Sequence, residues 1–235
     1  MENNYRKKMQ DAIKKRHSVR EYLSKPLDTE VIIKLQKKIE ELNIKGNLHI
    51  QLVLNEPKGF SGFFAYGKFH GVTNYFVMAG EKDPSLDERI GYYGEQLVLY
   101  AQSLGLNTCW AGLSYRKVKD TYTLNTGEKI ACYIAVGYGV TQGKTHKIKT
   151  PEQVSNVSPL TPDWFLEGVE SALLAPTAIN QQKFRFEYLG EKEKGKALVK
   201  AEAGKSLVGY TKMDLGIARY HFEVGTGEQN YEIIS

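Results

Sequence analysis

Apolar residues recur at helical spacing from the start of the chain. Tyr5, Met9, Ala12 and Ile13 share one face, which predicts a first helix with Arg16 to Arg20 at its end or just beyond. A second helix is expected from Leu27-Asp28. Asp28 is placed to cap it, Leu27 and Ile32 stand at staple spacing, and Val31, Leu35, Ile39 and Leu42 form its apolar face. Leu48 to Leu54 alternates as a strand does, and Tyr75 to Ala79 reads as a second strand. A long helix from about Asp87 to Leu104 turns Ile90, Tyr93, Leu97, Tyr100 and Leu104 inward, with Gly105 as its stop. Thr108 to Trp110 and Ile130 to Val136 read as short buried strands. Residues 55–71, rich in glycine and aromatics, make the longest irregular stretch, and a loop of that length is more often functional than idle.

Between Gly139 and Ser158 the pattern turns polar, which places a boundary between a segment 1–157 and a segment 158–235. In the second segment Thr161 suits an N-cap and Pro162 the first helical position of a helix from Asp163 to Leu174. A strand from Phe184, a helix over Asp214 to Val224 and a final strand over Tyr231 to Ile233 follow. The fold class is α+β: a central mixed or antiparallel sheet flanked by helices. The order helix, strand, helix, strand echoes residues 28–112 in shortened form. Asp214-Leu215-Gly216 before a helix closed by Gly225 parallels Tyr93-Gly94 before one closed by Gly105. Two unequal repeats forming an internal pseudo-dimer is therefore an expectation to test.

Composition narrows the classes. The 235 residues allow one large domain or two small ones, and 41% hydrophobic with 25% charged residues is a globular balance. The net charge of +5 is a mild excess that could help attract a phosphorylated cofactor, though scattered Lys-Glu helix faces account for most of it. No basic cluster alternates with aromatics, so nucleic acid is not an expected partner. Cys109 and Cys132 lie in apolar strand-like runs, which reads as free buried thiols in a reducing cytoplasm. The N-terminus does not read as a signal peptide, and the longest apolar run, Ile130 to Val136, is too short to cross a bilayer.

The histidines, His17, His49, His70, His146 and His221, are too scattered for a metal site, and His221 beside Phe222 reads as a core or interface residue. His17-Ser18 invites a nucleophile-and-base reading, but adjacent residues at a helix end do not face each other as such a pair must.

Two segments carry the chemistry. Residues 174–182 read Leu-Ala-Pro-Thr-Ala-Ile-Asn-Gln-Gln, a helix that stops at Ala-Pro and presents backbone groups, a hydroxyl and an amide together. Such a turn suits a flat heteroaromatic ligand with a polar edge; an ordinary helix-to-strand turn would use the same residues. Near the start stands Lys14-Lys15-Arg16-His17-Ser18-Val19-Arg20-Glu21-Tyr22. This pair of segments resembles the FMN-dependent nitroreductase family. Gly94 to Gly112 looks like the family's central helix, strand and glycine loop, and Ala131 to Gly139 with Lys147-x-Lys149 and Pro151-Glu152 resembles its late strand and basic stretch. The chain is similar to a TM-type subgroup in which the Ala-Pro-Thr-Ala-x-Asn motif lies in the C-terminal half.

The resemblance implies a nitroreductase-like fold and FMN as cofactor. NADH or NADPH would be the electron donor, and a nitroaromatic, quinone or other electron-poor small molecule the acceptor. Other chemistry on the same fold (reductive dehalogenation, flavin breakdown) and non-catalytic flavin storage or sensing stay open. It also implies the site. Arg16 would anchor the phosphate through its bidentate fork, with Ser18 and the His17 backbone on the phosphate and ribityl chain. Arg20 would face the pyrimidine edge and stabilise negative charge there. Ala111, Gly112 and Leu113 stand where a backbone N–H is donated toward flavin N5. Lys147 and Lys149 resemble late phosphate ligands, and Pro176, Thr177, Ala178 and Asn180 would contact the ring and ribityl from the other side. The chain departs from the family after that turn, with Gln182-Lys183-Phe184 in place of a Pro-Trp continuation. No catalytic side chain is required, because flavin N5 carries the reaction.

In the family the turn comes from the second subunit of a homodimer and lies early in its chain. Here Asn43-Ile44-Lys45-Gly46-Asn47 stands in that place. Segment 158–235 is therefore expected to supply the partner's turn in cis and complete the flavin site, giving one FMN per chain in a pseudo-dimeric monomer, with a homodimer as the alternative. Phe63, Phe64 and Tyr66 suggest either a lid over the flavin face or an exposed aromatic loop packed locally.

Overall fold

Thirteen helices and strands follow one another in the computed structural model, which describes residues 3–61, 68–192, 195–227 and 231–234. The expected lid residues Phe63, Phe64 and Tyr66 lie outside them. Helices α1 (Asn3–Lys15) and α2 (Thr29–Gly46) lead into β1 (Gln51–Val53) and β2 (Tyr75–Glu81). Helix α3 (Leu86–Ser103), β3 (Asn107–Ala111) and β4 (Glu128–Gly137) complete the first half. After the short α4 (Pro151–Val154) come α5 (Asp163–Leu173), β5 (Phe184–Lys192), β6 (Lys196–Ala203), α6 (Thr211–Thr226) and β7 (Tyr231–Ile234).

Among the described residues the strands form two sheets. The first is antiparallel in the order β1-β2-β4-β3; the second, β5-β6-β7, is mixed, with β5 antiparallel and β7 parallel to β6. The fold is α+β, as the sequence implied. The expected elements all occur within a few residues of their places, with two additions, the short α4 and, in the second sheet, β6. Its sequence, Lys-Ala-Leu-Val-Lys-Ala-Glu-Ala, favours helix by propensity. Its alternation decides otherwise: Ala197, Val199 and Ala201 are buried, the last two in the shared core, while Lys196, Leu198 and Lys200 are half-covered. With β6 included, the order α2-β1-β2-α3-β3 recurs as α5-β5-β6-α6-β7.

The core sits where α3 and α6 cross, with α5 against α6. Two glycines set that crossing. A Cβ on Gly91 would stand 2.0 Å from the carbonyl oxygen of Met213, and one on Gly216 would stand 2.1 Å from that of Glu88. The contact is reciprocal, since each glycine lies over the carbonyl three residues before the other. Gly225 is not the stop expected from sequence. Helix α6 continues to Thr226, and Gly225 instead gives room to Ser171 of α5, whose Oγ a Cβ would meet at 2.5 Å.

Two helix starts also differ. Asp28 is the N-cap residue of α2, but its carboxylate accepts from the Tyr138 hydroxyl at 2.7 Å rather than from helix amides. The N-cap of α5 is Pro162. Thr161 closes the preceding turn, its hydroxyl donating to the Ser158 carbonyl at 2.8 Å and accepting from the Ser158 amide at 3.1 Å.

Candidate flavin site

Arg16 takes the last backbone bond of the first helix, donating to the Ala12 carbonyl at 2.8 Å, and the chain then extends along β3. Ser18 bridges to Thr108, and the Val19 amide donates to the Thr108 carbonyl at 3.1 Å. Extended backbone alternates its side chains. Val19 therefore enters the core, while Ser18 and Arg20 face a cavity of about 580 Å³.

The opposite wall is the turn after α5. Pro176, Thr177, Ala178 and Ile179 line it, and Ala111, Gly112 and Leu113 border it from the end of β3. The turn is strained and firmly held. Ile179, Asn180 and Gln182 have φ of 45°, 58° and 46°, a left-handed run that is costly for a β-branched residue. The Gln182 amide donates to Thr177 Oγ1 at 3.0 Å, and the Asp214 carboxylate accepts the Ala178 amide at 2.9 Å and Gln181 Nε2 at 2.6 Å. Asp214 is 2% exposed and lines the cavity. Burial pushes its carboxyl from 3.8 up to about 6, against the pull of those two hydrogen bonds.

A second cavity, of about 440 Å³, shares Ser18, Arg20, Pro176, Thr177 and Ile179 with the first and continues past Arg16, Lys144, His146 and Asn180. The Arg16 guanidinium is 3% exposed, and its Nε has no hydrogen-bond partner. Its nearest countercharge is Glu95, at 3.8 Å. Behind it lies a buried polar group drawn from four elements: Glu95 of α3, Trp110 of β3, His221 of α6 and the Ser171 carbonyl of α5. Burial and the neighbouring Arg16 charge hold His17 below its ordinary value, and burial does the same for His146.

The structure thus brings together Arg16, Ser18, Arg20, Ala111, Gly112, Leu113, Pro176, Thr177, Ala178 and Asn180 around two adjoining cavities. It places three expected contributors elsewhere. His17 borders neither cavity, and neither do Lys147 and Lys149. Lys149 Nζ donates to the Gln182 carbonyl at 2.7 Å, and the Lys147 carbonyl accepts from Asn180 Nδ2 at 2.7 Å and Gln182 Nε2 at 2.8 Å, so this stretch braces the turn. Lys144 and His146, just upstream, are the ones at the second cavity. Asn180 borders that cavity with its amide already engaged by the protein.

Asp214, Tyr210 and the Glu95-His221 pair have no counterpart in the sequence-based site. The one signal available was Asp214 at the head of a predicted helix. Tyr210, in left-handed backbone with φ of 62°, lays its ring on Gly112, where a Cβ would meet ring carbon Cζ at 2.7 Å. Leu113 and Ile179, 76% and 78% exposed, form an apolar rim with Val208.

Comparison with known proteins identifies the family and the fold. A family profile described as "Putative TM nitroreductase" matches residues 8–226. The chain is similar in structure to a protein of Thermotoga maritima described as a "putative nitroreductase", with a TM-score of 0.61 and 23% identity over 92% of this chain and 82% of that one. At that identity the likeness establishes the fold. An "FMN-dependent Nitroreductase" of Clostridium difficile aligns with a TM-score of 0.45 and 18% identity, over 58% of this chain and 90% of its own. A "putative nitroreductase in complex with fmn" from Desulfovibrio desulfuricans aligns at 0.49 and 14%, over 66% and 98%. No curated protein matches the sequence.

Proposed function

The chain belongs to the nitroreductase family matched over residues 8–226, and from that premise we propose that it is an FMN-dependent oxidoreductase that passes hydride from NADH or NADPH to a nitroaromatic, quinone or other electron-poor small molecule. The observation that carries the reading is the meeting of two distant segments: Ser18 and Arg20 face Pro176, Thr177 and Ala178 across one cavity. FMN fits the residues present. A buried guanidinium whose Nε has no hydrogen-bond partner calls for an anion, and the adjoining apolar walls, Trp110, Met213 and Ile217, suit a flat ring.

When bound, FMN would supply hydride acceptance and donation at N5. The chain would do the rest. Arg16, with Lys144 lining the same cavity, would hold the phosphate, and Ser18 the adjoining ribityl region. Arg20 would stabilise negative charge on the pyrimidine edge. Ala111 and Gly112 would offer backbone to the ring. The rim of Leu113, Ile179 and Val208 would receive an apolar acceptor and exclude water from it.

The recurring element order and the reciprocal glycine crossing support a further part of this reading: one chain plays both halves of a dimeric site and binds one FMN. Purified protein should be yellow, or become so on reconstitution, with one flavin per chain. NADH or NADPH should bleach it, and a nitroaromatic or quinone should restore the colour. A protein that stays colourless after reconstitution refutes the proposal. Tight binding without reduction by either nucleotide would assign storage or sensing instead, and one flavin per two chains would refute the in-cis site.

A further inference from the structure

The hydrogen bonds around His221 fix how many protons the core behind Arg16 holds. His221 Nδ1 lies 3.1 Å from the Ser171 carbonyl, and Nε2 lies 2.9 Å from Glu95 Oε1. Both the histidine and the glutamate are fully buried. A carbonyl oxygen only accepts, so Nδ1 must carry a hydrogen. Nε2 and Oε1 would then face each other lone pair to lone pair unless a proton lies between them. The other carboxylate oxygen is occupied, accepting from Trp110 Nε1 at 3.0 Å. A fully buried imidazole flanked by two acceptors therefore needs a proton on each side.

We propose that Glu95 and His221 share one proton and form a neutral pair, so that the buried Arg16 guanidinium keeps an uncompensated positive charge poised for a phosphate monoester. Whether the proton rests on carbon-bound oxygen or on nitrogen, the pair sums to zero. Other groups facing this core leave that sum intact. Among them are His17 and His146, both held toward the neutral form, and the carbonyls of Ser171 and Leu173, the latter 3.3 Å from His146 Nε2. The geometry of Arg16 agrees. Its Nε stands 3.8 Å from Glu95, beyond hydrogen-bonding distance, which is what a carboxylate already satisfied by two other donors leaves it. Glu95 and His221 are positioning residues in this account: they act through Arg16 and touch no ligand. The identity of the anion as the phosphate of FMN rests on the proposed function; the preset charge does not.

The test separates the phosphate from the ring. Apoprotein is titrated with FMN and with riboflavin, and the ratio of the two dissociation constants reports the phosphate alone. The wild-type ratio should favour FMN by at least about tenfold. His221→Gln strands a charged Glu95 whose only countercharge among the described residues is Arg16, and should reduce the ratio at least about tenfold while riboflavin affinity holds. Glu95→Gln added to His221→Gln removes the stranded charge and should return the ratio to within about threefold of wild type. An unchanged ratio in the single variant, or no rescue in the double, overturns the proposal. If the single variant does not fold, the double still decides, because a tenfold change of its ratio in either direction means the native pair was not neutral. Inorganic phosphate gives an arm independent of flavin. It should raise the Tm of wild type and the double variant but not of His221→Gln, and equal shifts in all three would overturn the proposal. Wild type that binds neither flavin but keeps this phosphate pattern would refute the flavin reading alone.

Discussion

Asp214→Asn offers a measurement in which the structure fixes both sign and size. The wild-type carboxyl ionises at 3.8 in an unfolded chain and near 6 in the fold, because the buried turn disfavours its charge more than two hydrogen bonds restore. The unfolded chain therefore releases this proton first as pH rises. Stability from this group is complete below pH 3.8 and is lost as pH passes through 6, the reverse of a salt-bridged aspartate. A difference of about 2 pH units corresponds to about 3 kcal/mol, of which some 2.5 kcal/mol falls between pH 4 and 7.5. That is a large share of the roughly 5–15 kcal/mol that holds a typical domain together. Asparagine cannot ionise. It also accepts through one oxygen where aspartate uses two, which costs about 1–3 kcal/mol at every pH. Equilibrium denaturation of apoprotein by urea at intervals from pH 4 to 7.5 should thus find the variant less stable than wild type at the acid end. The gap should close, by about 2–3 kcal/mol, as pH rises. A difference that stays constant with pH would refute the argument, whatever its size.

Three further outcomes follow from particular contacts. Gly91→Ala and Gly216→Ala each drive a methyl into a backbone carbonyl at about 2 Å and should each cost about 3 kcal/mol or more in denaturant melts; a loss below 1 kcal/mol would mean the helices separate freely. Ile179→Gly should raise stability by about 0.5–1 kcal/mol, since the exposed side chain buries little and glycine removes left-handed strain, so a destabilised variant would contradict it. Arg16→Lys keeps charge but loses the fork, and should weaken FMN about tenfold or more with little change for riboflavin; equal losses for both flavins would show that Arg16 serves the fold and not the phosphate.

Much of this molecule was legible in its sequence, and the legible part has one character. Helices and strands with strong periodicity, from Tyr5 to Ile13 through Asp214 to Val224, declare themselves because period and burial are properties of a few neighbouring residues. The Arg16-to-Arg20 and Pro176-to-Asn180 segments were readable for the same reason. Each is contiguous, and each carries its own turn or extended chemistry.

Tertiary structure alone decided what depends on distant partners. Strand β6 exists because its small apolar face meets a shared core, against the helical preference of its residues. Lys147 and Lys149 brace the turn through residues 33 and 35 positions away, so their charge in sequence said little about their place. Asp214 reaches the turn across 36 positions, and His221 finds Glu95 across 126. Hydrogen bonds and charge pairs depend on distance in space and are indifferent to separation along the chain, so only the folded chain could reveal which carboxylate each meets.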